Sequence, residues 1–226
     1  RKVRRRIPHT IIRFAPEVAA EVLQRHLERE RDGSIRLRIL RALNRLQTSN
    51  PGISLDDTLL HEQLRSTLLR IAQLMGWRAA LEDGLPGDSQ DAELLIAALR
   101  DKEKATLERA FWLMWLQHPD ENLVLVWRGL QSDNPRLRAA SIEVLEAVLN
   151  GGLREAVLTL VDVEEPPGKR SRAAGTALGK SHPLGSTRDA LDAMADDRSE
   201  VIRSIAVHLR SALGPPEESP EVRTLA

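Results

Sequence analysis

The nearest approach to a phosphate-binding loop in this 226-residue chain is Gly175-Thr176-Ala177-Leu178-Gly179-Lys180-Ser181. A Walker-type loop wraps phosphates with successive backbone N–H groups and needs four residues between its glycines. Here three separate them, and Ala174 stands where the first glycine would be. Residues 164–172 have no apolar strand character, and no convincing downstream strand ends in a magnesium-binding Asp. The stretch is therefore read as a helix C-terminus capped by Gly179.

Other catalytic patterns fail on the same kind of test. Histidines stand at 9, 26, 61, 118, 182 and 208, with no His-Glu-x-x-His and no i, i+4 pair to converge on a metal. There is no Gly-x-Ser-x-Gly elbow. The absence of cysteine excludes disulfides, iron–sulfur clusters, cysteine–zinc sites and a thiol nucleophile. No catalytic, metal or cofactor residue is assigned, and the chain is read as a protein that is not an enzyme.

What the sequence does concentrate is arginine. There are 28 Arg against 5 Lys. Basic and acidic residues balance at 33 each, yet residues 1–50 carry a net charge of +8 and the remainder −8. Lys2, Arg6, His9 and Arg13 recur at i, i+4, i+7 and i+11, opposite Val3, Ile7 and Ile11, and Arg38, Arg41 and Arg45 make a second stripe. Set side by side, the two stripes form a basic strip for acidic protein segments, anionic headgroups or phosphates.

These residues must be positioned by helices. The chain has 36 Leu, 25 Ala, no Tyr and an aromatic content of 3%, a composition that suits helices and argues against a β-sandwich or barrel. Apolar residues recur at helical spacing nearly throughout, with breakers at Asp32-Gly33-Ser34, Ser49-Asn50-Pro51-Gly52, residues 83–87, His118-Pro119-Asp120, residues 132–135 and Gly151-Gly152. About twelve helices are expected, at 3–14 (kinked at Pro8), 16–29, 34–46, 55–81 (one long helix, or two with a tight bend), 89–100, 104–117, 121–130, 135–150, 152–162, 169–178, 186–195 and 199–213. Residues 214–226, with three prolines, are a tail or linker. Residues 111–116 and 123–127 are apolar on every face and are expected inside the stack, with Trp112 and Trp127 as the alternative partner-binding anchors.

Three turns share one design. Asp32 precedes Ile35-Arg36, Asp133 precedes Leu137-Arg138, and Asp197 precedes Ile202-Arg203, each followed by aliphatic or small residues at helical spacing. Val3-Arg4 with Ile7 and Ile11 fits as the second helix of a truncated repeat over 1–14. This pattern resembles the HEAT repeat. The resemblance implies an all-α, right-handed α-solenoid over residues 1–213, with second helices lining a concave face and the Asp and Arg residues forming a ladder between repeats.

A narrower resemblance rests on Leu107-Glu108-Arg109-Ala110-Phe111, His118-Pro119-Asp120-Glu121, residues 127–140 (Trp127-Arg128-Gly129 to Arg138-Ala139-Ala140) and Glu143-Val144-Leu145-Glu146. Residues 187–213 and Val3-Arg4-Arg5-Arg6-Ile7-Pro8 also contribute. The chain is similar to the cytosolic HEAT region behind the membrane part of bacterial nucleotide-transporter-like proteins of the ATP/ADP translocase type. That implies a membrane domain before residue 1 and a cyclic-nucleotide-binding-like domain after residue 226, and it carries over no transport residue. The expected function is a non-catalytic cytoplasmic interaction or regulatory module, tethered to the inner membrane through a preceding domain. Its partners would be proteins, neighbouring domains or an anionic membrane surface. A nucleic-acid-binding HEAT-like protein using the basic N-terminal strip is the alternative, disfavoured by the zero net charge and the lack of Tyr.

Overall fold

The structure, a computed structural model, describes residues 7–85, 89–180 and 185–213. Among them every regular element is an α-helix: α1 (Ile7–Ile11), α2 (Pro16–Arg29), α3 (Gly33–Ser49), α4 (Asp57–Gly84), α5 (Gln90–Gln117), α6 (Leu123–Leu130), α7 (Pro135–Val148), α8 (Gly151–Val161), α9 (Pro167–Ala177), α10 (Thr187–Ala195) and α11 (Glu200–Ala212). The breakers act as helix starts. Asp32, Asp56, Ser89, Asn122, Asn134 and Ser186 each accept hydrogen bonds from backbone N–H groups of the first turn that would otherwise be unpaired.

Eleven helices among the described residues replace the expected twelve, because 89–100 and 104–117 lie on the single helix α5. The charged run Asp101-Lys102-Glu103-Lys104 contains neither Gly nor Pro, so nothing interrupts the hydrogen-bond ladder. At the N-terminus the helix ends earlier than its apolar stripe suggests. Pro16 disfavours helical backbone at Ala15, and the amides of Arg13 and Phe14 bond three residues back, to Thr10 and Ile11. Pro8 is the second residue of α1 as described, and residues 1–6 and the tail 214–226 lie outside the described residues.

Helices α4 and α5, 28 residues each and about 42 Å long, run antiparallel as a spine. Arg78 faces Glu103 and Glu82 faces Arg100, so rising number on α4 meets falling number on α5. The remaining hairpins pack onto this pair. From α2–α3, α3 lies on α5, and α1 lies on α3; from α6–α7, α6 lies on α5; from α8–α9, α9 lies on α4. The α10–α11 hairpin straddles the spine, α10 on α4 and α11 on α5.

Two apolar clusters result. The larger draws Leu23, Leu43, Leu64, Ile71, Phe111, Met114 and Leu160 from α2 to α9. The smaller joins Leu81 of α4 and Leu95 and Leu99 of α5 to Leu191, Met194, Ile202 and Ala206 of the last hairpin. A buried leucine contributes roughly 1.5–3 kcal/mol, so both ends of the spine are independently anchored.

The segment around Gly179 is a helix end. Gly179 has a φ of +67°, its N–H bonds to Thr176 O, and Lys180 N–H bonds to Gly175 O at 2.8 Å, the two bonds of a Schellman cap. The preceding helix, α9, turns Gly168, Ser171, Ala174 and Gly175 inward against α4, and Ser171 Oγ donates to Ala72 O at 2.6 Å.

Candidate functional site

The basic strip is only partly described, since Lys2 and Arg6 lie outside the described residues. His9 and Arg13 are exposed, on and just after the helix that packs against α3. Arg38, Arg41 and Arg45 occupy the exposed face of α3, opposite Ile39, Leu43 and Leu46. Arg41 differs from its neighbours in being held. It donates to Glu108 Oε1 at 2.7 Å and lies over the Trp112 ring at 5.5 Å. Among the described residues Arg13, Arg38 and Arg45 form no ion pair.

Neither singled-out tryptophan stands proud of the surface. Trp112 is half-buried beside Trp115, ring centroids 5.2 Å apart, and Trp127 is half-buried against Phe111 at 5.1 Å. Instead Leu125 on α6 and Leu137 and Ile142 on α7 are left exposed.

The turns form a more specific arrangement. Asp32 caps α3, accepting from Ser34 N at 2.8 Å and Ile35 N at 3.3 Å. Arg36 reaches back over its own hairpin, donating to Leu27 O at 3.0 Å and Glu30 O at 3.2 Å, and across to Gln63 Oε1 of α4 at 2.7 Å. Asp197 does two jobs: one carboxylate oxygen accepts from Ser199 N at 2.8 Å and the other pairs with Arg70 of α4. Arg203 donates to Asp197 O at 3.0 Å, as Arg36 does to the carbonyls of its own hairpin. In each case the arginine satisfies carbonyls left open at a helix end. Among the described residues Asp197 pairs with Arg70 of α4, not with one of the turn arginines.

The third turn departs from this pattern. Asp133 is exposed, and the cap of α7 is Asn134, whose Oδ1 accepts from Arg136 N at 3.0 Å. Arg138 is half-buried and makes no side-chain hydrogen bond among the described residues.

The first and last of these turns both reach α4, the first through Arg36 to Gln63 and the last through Asp197 to Arg70. Burial pushes the Arg36 guanidinium below its ordinary range, and the charge of Arg198 acts in the same direction, partly opposed by Glu30. Arg109 of α5 lies between the turns, lowered to about 10 by burial first and by Arg36 next, with Glu108 opposing. Its Nη1 rests against Gly33, where an added Cβ would stand 2.8 Å away. Sequence reading singled out neither Arg70 nor Arg109. Their seven- and three-residue spacings to Gln63 and Thr106 place each pair on one helix face, but only the tertiary fold says what that face meets.

Among the described residues no cluster of His, Cys, Asp and Glu could hold a metal ion, and no helix is long and apolar enough to cross a membrane. Comparison with protein-family models, with curated proteins and with solved structures gives no match.

Proposed function

We propose that the chain is a non-catalytic interaction module that docks an acidic protein segment or neighbouring domain through the basic strip of α1 and α3, with an anionic membrane surface as the second surface it suits. The observation that carries this reading is the row of exposed arginines without ion pairs, Arg38 and Arg45 with Arg13 beside them, on a chain whose net charge is zero. Such a local excess focuses positive potential and accelerates encounter with an acidic surface.

The architecture we assign is a HEAT-like right-handed solenoid folded back on itself. Its support is the shared design of the Asp32 and Asp197 turns. The return of α9, α10 and α11 to α4 and α5 supplies the fold-back. A place in the cytoplasm, behind the membrane part of a transporter-like protein, follows from the sequence resemblance and rests on that alone.

The test compares the chain with its R38Q/R45Q variant for binding to polyglutamate, to anionic vesicles and to duplex DNA across a salt series. Salt-sensitive binding to polyglutamate or vesicles that weakens in the variant supports the assignment. Tight, sequence-selective DNA binding replaces it with the nucleic-acid reading, and indifference to all three returns the strip to a solvated face.

A further inference from the structure

Helix α3 opens to solvent along one narrow row. Apart from its last residue, the exposed positions are Ser34, Arg38, Arg41, Arg45 and Thr48, at i, i+4, i+7, i+11 and i+14, and no carboxylate stands among them. The row of α5 beside it is Glu108, Trp112 and Trp115, each half-buried and spaced four and three apart. Arg41 joins the two rows, donating to Glu108 Oε1 at 2.7 Å and lying 5.5 Å over the Trp112 ring. The helices run the same way at this contact, since Gln47 Nε2, further along α3, donates to Leu116 O at 3.2 Å. Arg45 therefore stands in register with residues 112–115.

This face carries two chemistries side by side. Of the residues in the two rows only Glu108 is acidic, and Arg41 meets its charge. That leaves Arg38 and Arg45 as cations without an ion pair among the described residues. Trp112 and Trp115, ring centroids 5.2 Å apart, add an aromatic pair at the edge of the arginine row. A bilayer anchor would have to project past the basic residues, and neither half-buried ring does. A segment lying along the face can use both.

The spacing of the cations selects its conformation. Arg38 and Arg45 are separated by seven residues of helix, about 10 Å along the axis. In a polyproline II helix residues i and i+3 share a face about 9 Å apart. Same-face residues of a β-strand are about 7 or 13 Å apart. The polyproline II spacing is the nearest match, and segments in that conformation dock on aromatic surfaces.

We propose that this α3–α5 face binds an acidic, proline-containing segment in the polyproline II conformation, with glutamates at i and i+3 on Arg38 and Arg45 and a proline ring against Trp112 and Trp115. The inference deepens the docking role of the basic strip and rests on it, narrowing the acidic segment to one conformation and one spacing. Such a segment has given up much of its freedom before it binds, which lowers the entropic cost of association.

Fluorescence anisotropy of labelled peptides on the full chain, at constant ionic strength, tests this. The probes are a Glu-Pro-Pro repeat, a Glu-Gly-Gly repeat of equal length and charge, and polyglutamate. The Glu-Pro-Pro repeat should bind about fivefold tighter than the Glu-Gly-Gly repeat, the equivalent of one aromatic contact. W115L should remove that preference and W115F should keep it, while R38Q/R45Q should weaken both repeats. The comparison on the unaltered chain depends on no variant's folding: equal affinity for the two repeats overturns the inference. Its failure alone, with polyglutamate still bound, leaves the strip as an acidic docking surface, whereas no binding to any of the three probes removes both. A preference for Glu-Pro-Pro that survives in both W112L and W115L overturns the aromatic contact. Binding to phosphatidylserine vesicles without binding to Glu-Pro-Pro gives the face to a membrane and overturns the peptide assignment.

Discussion

Arg78 and Glu103 form a bidentate ion pair where the two apolar clusters meet along the spine, with Nε to Oε1 at 2.8 Å and Nη2 to Oε2 at 3.0 Å. Both are nearly sealed from solvent, at 9% and 6% exposure. Burial alone would lower the Arg78 guanidinium, but the hydrogen bonds and charges of Glu103, helped by Glu82, outweigh it and hold the group above its ordinary value. Removing one partner strands the other. E103A should destabilise the chain by about 3 kcal/mol, whereas R78M/E103L should recover most of that loss; urea denaturation of both variants and the parent measures the difference.

The turn arginines should separate by role. R36A leaves three carbonyl or amide acceptors without their donor and should cost roughly 1–3 kcal/mol. R138A, which deletes no hydrogen bond among the described residues, should stay within about 0.5 kcal/mol. Equal melting temperatures for the two variants would contradict the distinction.

Gly152 is where α8 and α9 touch through backbone. A Cβ there would overlap the carbonyl oxygen of Ala177, which no rotamer change relieves. G152A should cost about 1–3 kcal/mol, while G52A, with nothing within 4 Å of the added carbon, serves as the neutral control in the same denaturation series.

Arg109 gives the opposite sign. Its charged form is disfavoured in the folded state, which lowers it to about 10, so stability is withheld while the side chain is charged and returns only as pH rises through that value. At neutral pH a neutral side chain removes the penalty. R109M should melt no lower than the parent, and by up to a few degrees higher; a clear drop in melting temperature would show that the charge is needed by the fold.

Asp189 closes a capping box on α10, accepting from Ser186 N and Ser186 Oγ, both at 2.8 Å. The Ser186 hydroxyl and amide hold its carboxyl below the ordinary aspartate range. A depressed acid stabilises the fold above its unfolded value and loses that contribution as pH falls through the folded one. Amide protection in the first turn of α10 should therefore be level from neutral to mildly acidic pH and fall below the ordinary aspartate range. In D189N this acid step should vanish.

Much of the local structure was legible because it is written in short-range chemistry. Asp32, Asn134 and Ser186 mark helix starts through side-chain oxygens two or three residues from the amides they accept, and Gly179 marks an end. The misreading at residues 101–103 has a single cause. A run of charges resembles a solvated loop, yet Glu103 faces inward, toward a partner 25 residues earlier. The approach of Arg109 to the Gly33 turn was illegible for the same reason on a larger scale, since nothing in either stretch names the other. Ser171, Ala174 and Gly175 are buried on α9, but nothing in their spacing names α4 as the surface that helix meets.

The way the later hairpins return to α4 bears on how the chain reaches its native state. Arg65 bonds Leu178 O across 113 residues, Thr187 bonds Ala80 O across 107, and Arg70 meets Asp197 across 127. A linear stack of repeats can nucleate anywhere and extend neighbour by neighbour. Here the inner face of α4 must wait, apolar and uncovered, until α9 and α10 have been synthesised. Loops of this size close late and slow the search for the native state. On the ribosome, α4 and α5 would emerge as an exposed pair awaiting the second half of the chain, the stage at which a chaperone or a premature contact with another chain would decide the yield of folded protein.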